Sequence, residues 1–133
     1  MRWALLGLSG WLFCMALGCH QAIPAPTGRP VSEGQQFVLV NPEIKNDFVI
    51  SQWDTGRTED GRLYVRANIQ NETKGELRIQ VRAVFKDDQG FKAGDETPWK
   101  YMMVPRGTWA TYAETSMNTA ARSFLVEIRR PQD

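Results

Sequence analysis

Leu63–Lys86 reads LYVRANIQNETKGELRIQVRAVFK, and the parity of this stretch decides the fold. Leu63, Val65, Ala67 and Ile69 fall on one side of an extended chain; Tyr64, Arg66, Asn68 and Gln70 fall on the other. A period of two is the mark of a half-buried strand. Asn71-Glu72-Thr73-Lys74-Gly75 supplies turn residues, and the alternation then resumes. Leu77, Ile79, Val81, Ala83 and Phe85 point inward, while Arg78, Gln80, Arg82 and Lys86 point outward. Two such runs joined by a Gly-containing connection predict a β-hairpin.

The same grammar extends in both directions. Asp87-Asp88-Gln89-Gly90 is a turn, and Trp99–Val104 and Trp109–Thr115 are strand-like runs around Pro105-Arg106-Gly107. Ser123–Arg129 closes the series, with Phe124, Val126 and Ile128 alternating against Leu125, Glu127 and Arg129. Upstream, Phe48-Val49-Ile50 ends near Trp53 and the polar loop DTGRTEDGR, and Phe37–Val40 is closed by Asn41-Pro42. No helical stripe follows residue 36; Asn118–Arg122 offers one turn at most. About seven short strands with regular turn signals predict an all-β, small antiparallel β-sandwich over residues 37–130, with a small barrel as the alternative. Neither a tyrosine corner nor a buried cysteine pair is evident, so any immunoglobulin likeness is architectural.

At 133 residues the protein is long enough for one small core. Lys plus Arg is 16 and Asp plus Glu is 15, which gives no electrostatic case for nucleic acid. Hydrophobic content of 42% sets it apart from disordered sequences of low hydrophobicity.

The N-terminus has a different character. Met1-Arg2 is a short positive head, and Trp3–Leu17 is almost wholly apolar or small. That is the layout of an export signal; a membrane-spanning helix needs about 20 apolar residues, more than this run holds. Ala16-Leu17-Gly18-Cys19 resembles the lipobox of bacterial lipoproteins, in which a cysteine thiol takes a diacylglycerol before cleavage on its N-terminal side. Ala16 and Leu17 stand in the reverse of the usual order, and an ordinary signal-peptidase cut after Ala16 or Gly18 is the rival reading. Cys14 lies in the discarded segment, so Cys19 has no intrachain partner left, and His20 is the sole histidine, too few ligands for zinc. The segment HQAIPAPTGRPVSEGQ, residues 20–35, is rich in Pro and Gly and reads as an extended, flexible tether. Its reach is roughly 50 Å at about 3.1 Å per residue. The expected organisation is therefore a signal peptide at 1–18, a lipidated Cys19 with its tether to 36, and the sandwich beyond.

The domain is poor in catalytic apparatus. Nucleophilic catalysis calls for a base beside a hydroxyl or thiol, usually histidine, and no His or Cys follows His20. The acid pairs Glu59-Asp60, Asp87-Asp88 and Asp95-Glu96 lie near glycines and are expected to be solvated loop acids. DDQGFKAGDE misses the alternating oxygen ligands of a calcium loop. No enzyme activity, metal or cofactor is expected. Asn71-Glu72-Thr73 fits a glycosylation sequon, inert in a bacterium without the pathway.

Two surfaces are candidates for binding. One is a row of Arg66, Arg78 and Arg82 with intervening amides on the two long strands, suited to glycan or anionic headgroups or simply solvated. The other is WKYMMV, Trp99–Val104, where alternation sends Trp99, Tyr101 and Met103 to one side and Lys100, Met102 and Val104 to the other. Burial of both sides inside the sandwich is the expected outcome; exposed aromatics there would suit a protein partner.

The lipobox-like segment, Val38-Leu39-Val40-Asn41-Pro42, Arg82…Phe85…Asp88…Gly90, Pro98-Trp99, Gly107 and Ala121…Phe124…Ile128-Arg129 resemble the YcfL-like family of bacterial lipoproteins. The likeness spans nearly all of residues 37–130, with Thr115-Ser116 where relatives tend to carry an Ala-Pro pair. The resemblance implies a periplasm-facing sandwich tethered to the outer membrane, and no catalytic or ligand residue to carry over. The absence of Asp after Cys19 is likewise similar to lipoproteins sent on to the outer membrane. The functional expectation is a non-catalytic envelope module, fixed to the membrane by acyl groups on Cys19, that engages an envelope protein or, alternatively, peptidoglycan or another carbohydrate.

Overall fold

The computed structural model describes residues 36–132. Within them lie eight strands: β1 (Phe37–Leu39), β2 (Phe48–Arg57), β3 (Leu63–Asn71), β4 (Leu77–Lys86), β5 (Lys92–Glu96), β6 (Lys100–Val104), β7 (Trp109–Thr115) and β8 (Ser123–Arg129). A single 3-10 turn of helix, Pro42–Asn46, follows β1, with Pro at the start where its missing N–H is of no consequence. Two sheets face each other. One runs β2-β3-β7; the other runs β1-β8-β4, with β5 and β6 sharing the far edge of β4. All pairings are antiparallel except β1 with β8. This is the expected β-sandwich, with one strand more than the sequence suggests.

The inward alternation holds residue for residue. Leu63, Val65, Ala67 and Ile69 of β3 and Leu77, Ile79, Val81, Ala83 and Phe85 of β4 are all buried in one apolar cluster. Tyr112 of β7 is also fully buried, and its hydroxyl reaches across the sandwich to Thr97 Oγ1 at 3.5 Å. Burial pushes the Tyr112 phenol well above its ordinary range, because the phenolate would lose its water.

The predicted β3–β4 hairpin does not form. β3 pairs with β2 and β7, and β4 pairs with β8, β5 and β6, so the connection crosses from one sheet to the other. Asn71 makes the crossing possible. Its side chain is buried, and Nδ2 donates to the carbonyls of Gly75 and Val104, both at 2.8 Å. Its Oδ1 accepts from Thr73 N–H and Thr73 Oγ1, each at 2.7 Å. The amide nitrogen that a sequon would present is thus occupied inside the fold.

Two further departures have local causes. The loop expected after Trp53 is shorter, confined to residues 58–62, since β2 runs on to Arg57 and pairs with β3 as far as Leu63. A bulge between Ile50 and Gln52 adds one residue, Ser51, to β2. Parity flips there: Phe48 and Ile50 face inward before it, and Trp53, opposite Ala67, faces inward after it. Trp53 meets Phe37 and Phe124 edge-to-face, with ring centroids 5.8 and 6.1 Å away. The unforeseen strand β5 carries KAGDE, too short and too polar to announce itself.

Candidate binding surface

The outer face of the five-stranded sheet follows from the alternation of β4, β6 and β8. Register aligns Tyr101, Gln80 and Arg129 in one row across three strands, with Met103 beside Arg78 and Glu127 beside Arg82 in the flanking rows. Strand β6 would be a simple continuation of β5 but for Thr97-Pro98. Pro98 has no N–H to give. Thr97 keeps the ladder closed: its N–H donates to Ala83 O at 2.9 Å, and its Oγ1 accepts from Ala83 N–H at 2.9 Å. The break leaves Trp99 lying over the outer face, between two guanidinium groups: Arg82 Cζ is 4.7 Å from its ring centroid and Arg129 Cζ 3.9 Å.

The arginines differ in what surrounds them. Arg82 donates from Nε to Glu127 at 2.5 Å and from a terminal nitrogen to Glu96 at 3.3 Å. Lys92 also reaches Glu96. The hydrogen bond from Lys92 holds the Glu96 carboxyl below its usual range, with the positive charges of Lys92 and Arg82 adding to the effect. Arg78 is more exposed and pairs with Glu76 at 2.8 Å. Arg129 donates from Nε to Gln80 Oε1 at 2.8 Å. Tyr101 and Met103 are 48% and 55% exposed, whereas Met102 and Val104 are buried. The expected two-sided burial of this strand is therefore wrong. An edge strand of a two-layer sandwich has a second layer on one face only, and nothing among the described residues covers the other.

The predicted arginine row is also divided. Arg78 and Arg82 share the face just described, but Arg66 sits on the outer face of the other sheet, because β3 and β4 are not neighbours. There it donates to Asp54 at 2.7 Å and lies 5.5 Å from the Tyr64 ring centroid. Tyr64 in turn lies across Gly56, where an added Cβ would come within 2.8 Å of the phenolic oxygen. The hydrogen bond from Arg66 is the chief reason the Asp54 carboxyl lies below its ordinary range. Cys19, the predicted lipidation site, lies outside the described residues. Arg129 is the residue that sequence alone does not bring into the candidate site; alternation in β8 places it outward, but nothing in one strand shows which neighbours it meets.

Glu59, Asp60 and Asp88 are exposed, as expected of loop acids, and one acid of each loop pair also holds its turn. Asp60 is hydrogen-bonded by Thr58 and Arg62, and Asp87 Oδ1 accepts the N–H groups of Gln89 and Phe91. Asp95 is not a solvated loop acid as expected. It lies inward on β5, 1% exposed, and its Oδ2 accepts from Met117 N–H at 2.6 Å, tying the loop before β8 to the sheet. Among the described residues no three acidic, His or Cys groups converge as a metal site would require.

The architecture and this surface define a small two-sheet β-sandwich domain with a polar, aromatic-studded outer face. A family model described as "Protein of unknown function (DUF1425)" matches residues 35–130, and the chain belongs to that family. Two solved structures share the fold. The crystal structure of Campylobacter jejuni cj0090 superposes with a TM-score of 0.60 at 16% identity, covering 72% of this chain and 98% of that one. A DUF1425 family member from Shewanella sp. pv-4 gives 0.57 at 22% identity, covering 65% of this chain and 80% of that one. No curated protein matches the sequence.

Proposed function

We propose that this protein is a YcfL-like lipoprotein, held to the outer membrane through acyl groups on Cys19, whose sandwich domain binds an envelope protein without catalysing a reaction. The observation that carries the binding reading is the outer face of the five-stranded sheet, where Tyr101 and Met103 are about half exposed beside a Trp99 fixed by two arginines. Half-exposed aromatic and Met residues around arginine are the composition of protein interfaces. What supports the anchor is the sequence: an apolar leader, a lipobox-like Ala16–Cys19 and a Pro/Gly-rich spacer. A binding role rather than a catalytic one is supported by a domain without His or Cys in which Asp60, Asp87 and Asp95 are engaged in turns and loop contacts.

Two measurements test the two halves separately. Labelling cells with radioactive palmitate should mark the wild-type protein and leave Cys19→Ala unlabelled; equal labelling of both defeats the anchor. A photo-reactive residue in place of Met103 should crosslink to an envelope protein in intact cells, while the same group in place of Thr111, on the opposite sheet, should not. Equal crosslinking from both positions defeats the assignment of the face.

A further inference from the structure

Arg129 differs from its neighbours on this face in having no carboxylate. Arg82 is flanked by Glu127 and Glu96, and Arg78 holds Glu76. Arg129 spends its Nε on the neutral Gln80 amide and lays its guanidinium over Trp99. Its two terminal nitrogens have no hydrogen-bond partner among the described residues. A guanidinium stacked and anchored in this way has already given up much of its rotamer freedom, so an incoming acceptor orders little that is not ordered already. Its outer edge is the planar fork that matches a carboxylate with two parallel hydrogen bonds.

We infer that Arg129 is a receptor for a carboxylate presented by a partner polypeptide, either an Asp or Glu residue or the partner's C-terminal carboxylate, with an apolar residue next to it. The surroundings select a peptide over a bare anion. Tyr101 occupies the same cross-strand row as Arg129, Met103 lies one row further, and a groove lined in part by Gln80, Tyr101, Arg78 and Pro131, with Glu76 and Asp47 at its acidic side, adjoins them. The exposed surfaces of Tyr101 and Met103 fit an apolar residue flanking the acid, while Arg78 is already paired with Glu76, which leaves Arg129 as the open cation of this row. This inference rests on the docking role proposed for the face and names the group that the face reads.

The test uses the full-length protein, with the photo-reactive residue in place of Met103 and with Arg129 varied. Arg129→Gln removes charge and fork and should lower the yield of the protein adduct at least tenfold. Arg129→Lys keeps the charge without the fork and should lower it several-fold. The adduct, mapped on the partner, should lie within a few residues of an acid or the C-terminus. In parallel, acetyl-Leu-Glu-Leu-amide titrated at fixed ionic strength should move the Trp99 indole NMR signal at least tenfold more strongly per unit concentration than its Gln counterpart. An undiminished adduct in both Arg129 variants leaves the docking face standing and overturns the carboxylate receptor; so do equal responses to the Glu and Gln peptides. Absence of any adduct from position 103 defeats the face itself. Binding to purified sacculi that depends on Arg129, with no protein adduct, replaces the polypeptide with a cell-wall ligand and overturns the inference. Should Arg129→Gln unfold, the Glu/Gln peptide comparison on the unaltered protein decides alone.

Discussion

Asn71→Ala is the substitution with the most definite expected effect. The Asn71 amide donates two 2.8 Å hydrogen bonds, to Gly75 O and Val104 O, and closes the β3-to-β4 crossing from both sides. A buried hydrogen bond contributes roughly 1 kcal/mol net, and a buried carbonyl left without its donor costs about 1 kcal/mol or more. Two lost bonds and one stranded carbonyl at the fully buried Val104 come to about 3 kcal/mol. In a domain of this size each kcal/mol lowers Tm by about 4–8 °C, so the midpoint should fall by roughly 12–24 °C. Differential scanning calorimetry of the mature protein measures it. Glu72→Ala, next in sequence but exposed, is the control and should change stability by no more than about 0.5 kcal/mol. A fall of less than about 4 °C for Asn71→Ala, or an equal fall for the control, refutes the idea that this amide holds the crossing.

Other expectations are as specific. Deleting Ser51 removes the bulge but keeps Ile50 opposite Ile69 and Gln52 opposite Asn68, so Trp53 should stay in its cluster with Phe37 and Phe124 and near-UV circular dichroism should keep its aromatic signal; loss of that signal would show that the extra residue is not what sets the parity. Trp99→Ala removes two cation–π contacts and should destabilise by about 1 kcal/mol, read from urea unfolding, while abolishing the crosslink from position 103. Glu96 should titrate below the ordinary glutamate range by NMR: its contribution is present above the unfolded value and is lost as pH falls through the lower folded one, and Lys92→Ala should erase most of the shift. Tyr112 behaves in the opposite sense. Its phenol stays protonated in the folded state at a pH where the unfolded polypeptide ionises, so stability should decline as pH rises above about 10. Tyr112→Phe should flatten that decline.

The in-and-out pattern of the long strands is legible because each residue reports its own face. Every inward position read from Leu63–Ile69 and Leu77–Phe85 is buried, and Tyr101 and Met103 are opposite in exposure to Met102 and Val104, as alternation requires. Partnership is not legible. Alternation says which face a residue occupies but not which strand lies beside it, so Arg66 falls together with Arg78 and Arg82 in sequence, and a hairpin is expected where the backbone in fact switches sheets. Asn71 looks like a turn residue, and its type alone does not reveal four hydrogen bonds inside the fold. The bulge at Ser51 leaves no trace, since one inserted residue alters parity without altering composition. Arg129 is visible as outward; that its guanidinium lies over Trp99, which comes from the segment before β6, is not.

The exchange of sheets after β3 has a kinetic consequence. The three-stranded sheet needs β7, drawn from residues 109–115, and the other sheet needs both β1 and β8, from opposite ends of the described residues. Neither layer can assemble from one contiguous stretch, so loops of many residues must close before most native pairs are rewarded. Such topologies fold on the millisecond-to-second scale. A polypeptide emerging N-terminus first would expose the apolar side of the β2–β3 pair until nearly all the rest had followed, an interval in which holdase protection matters most.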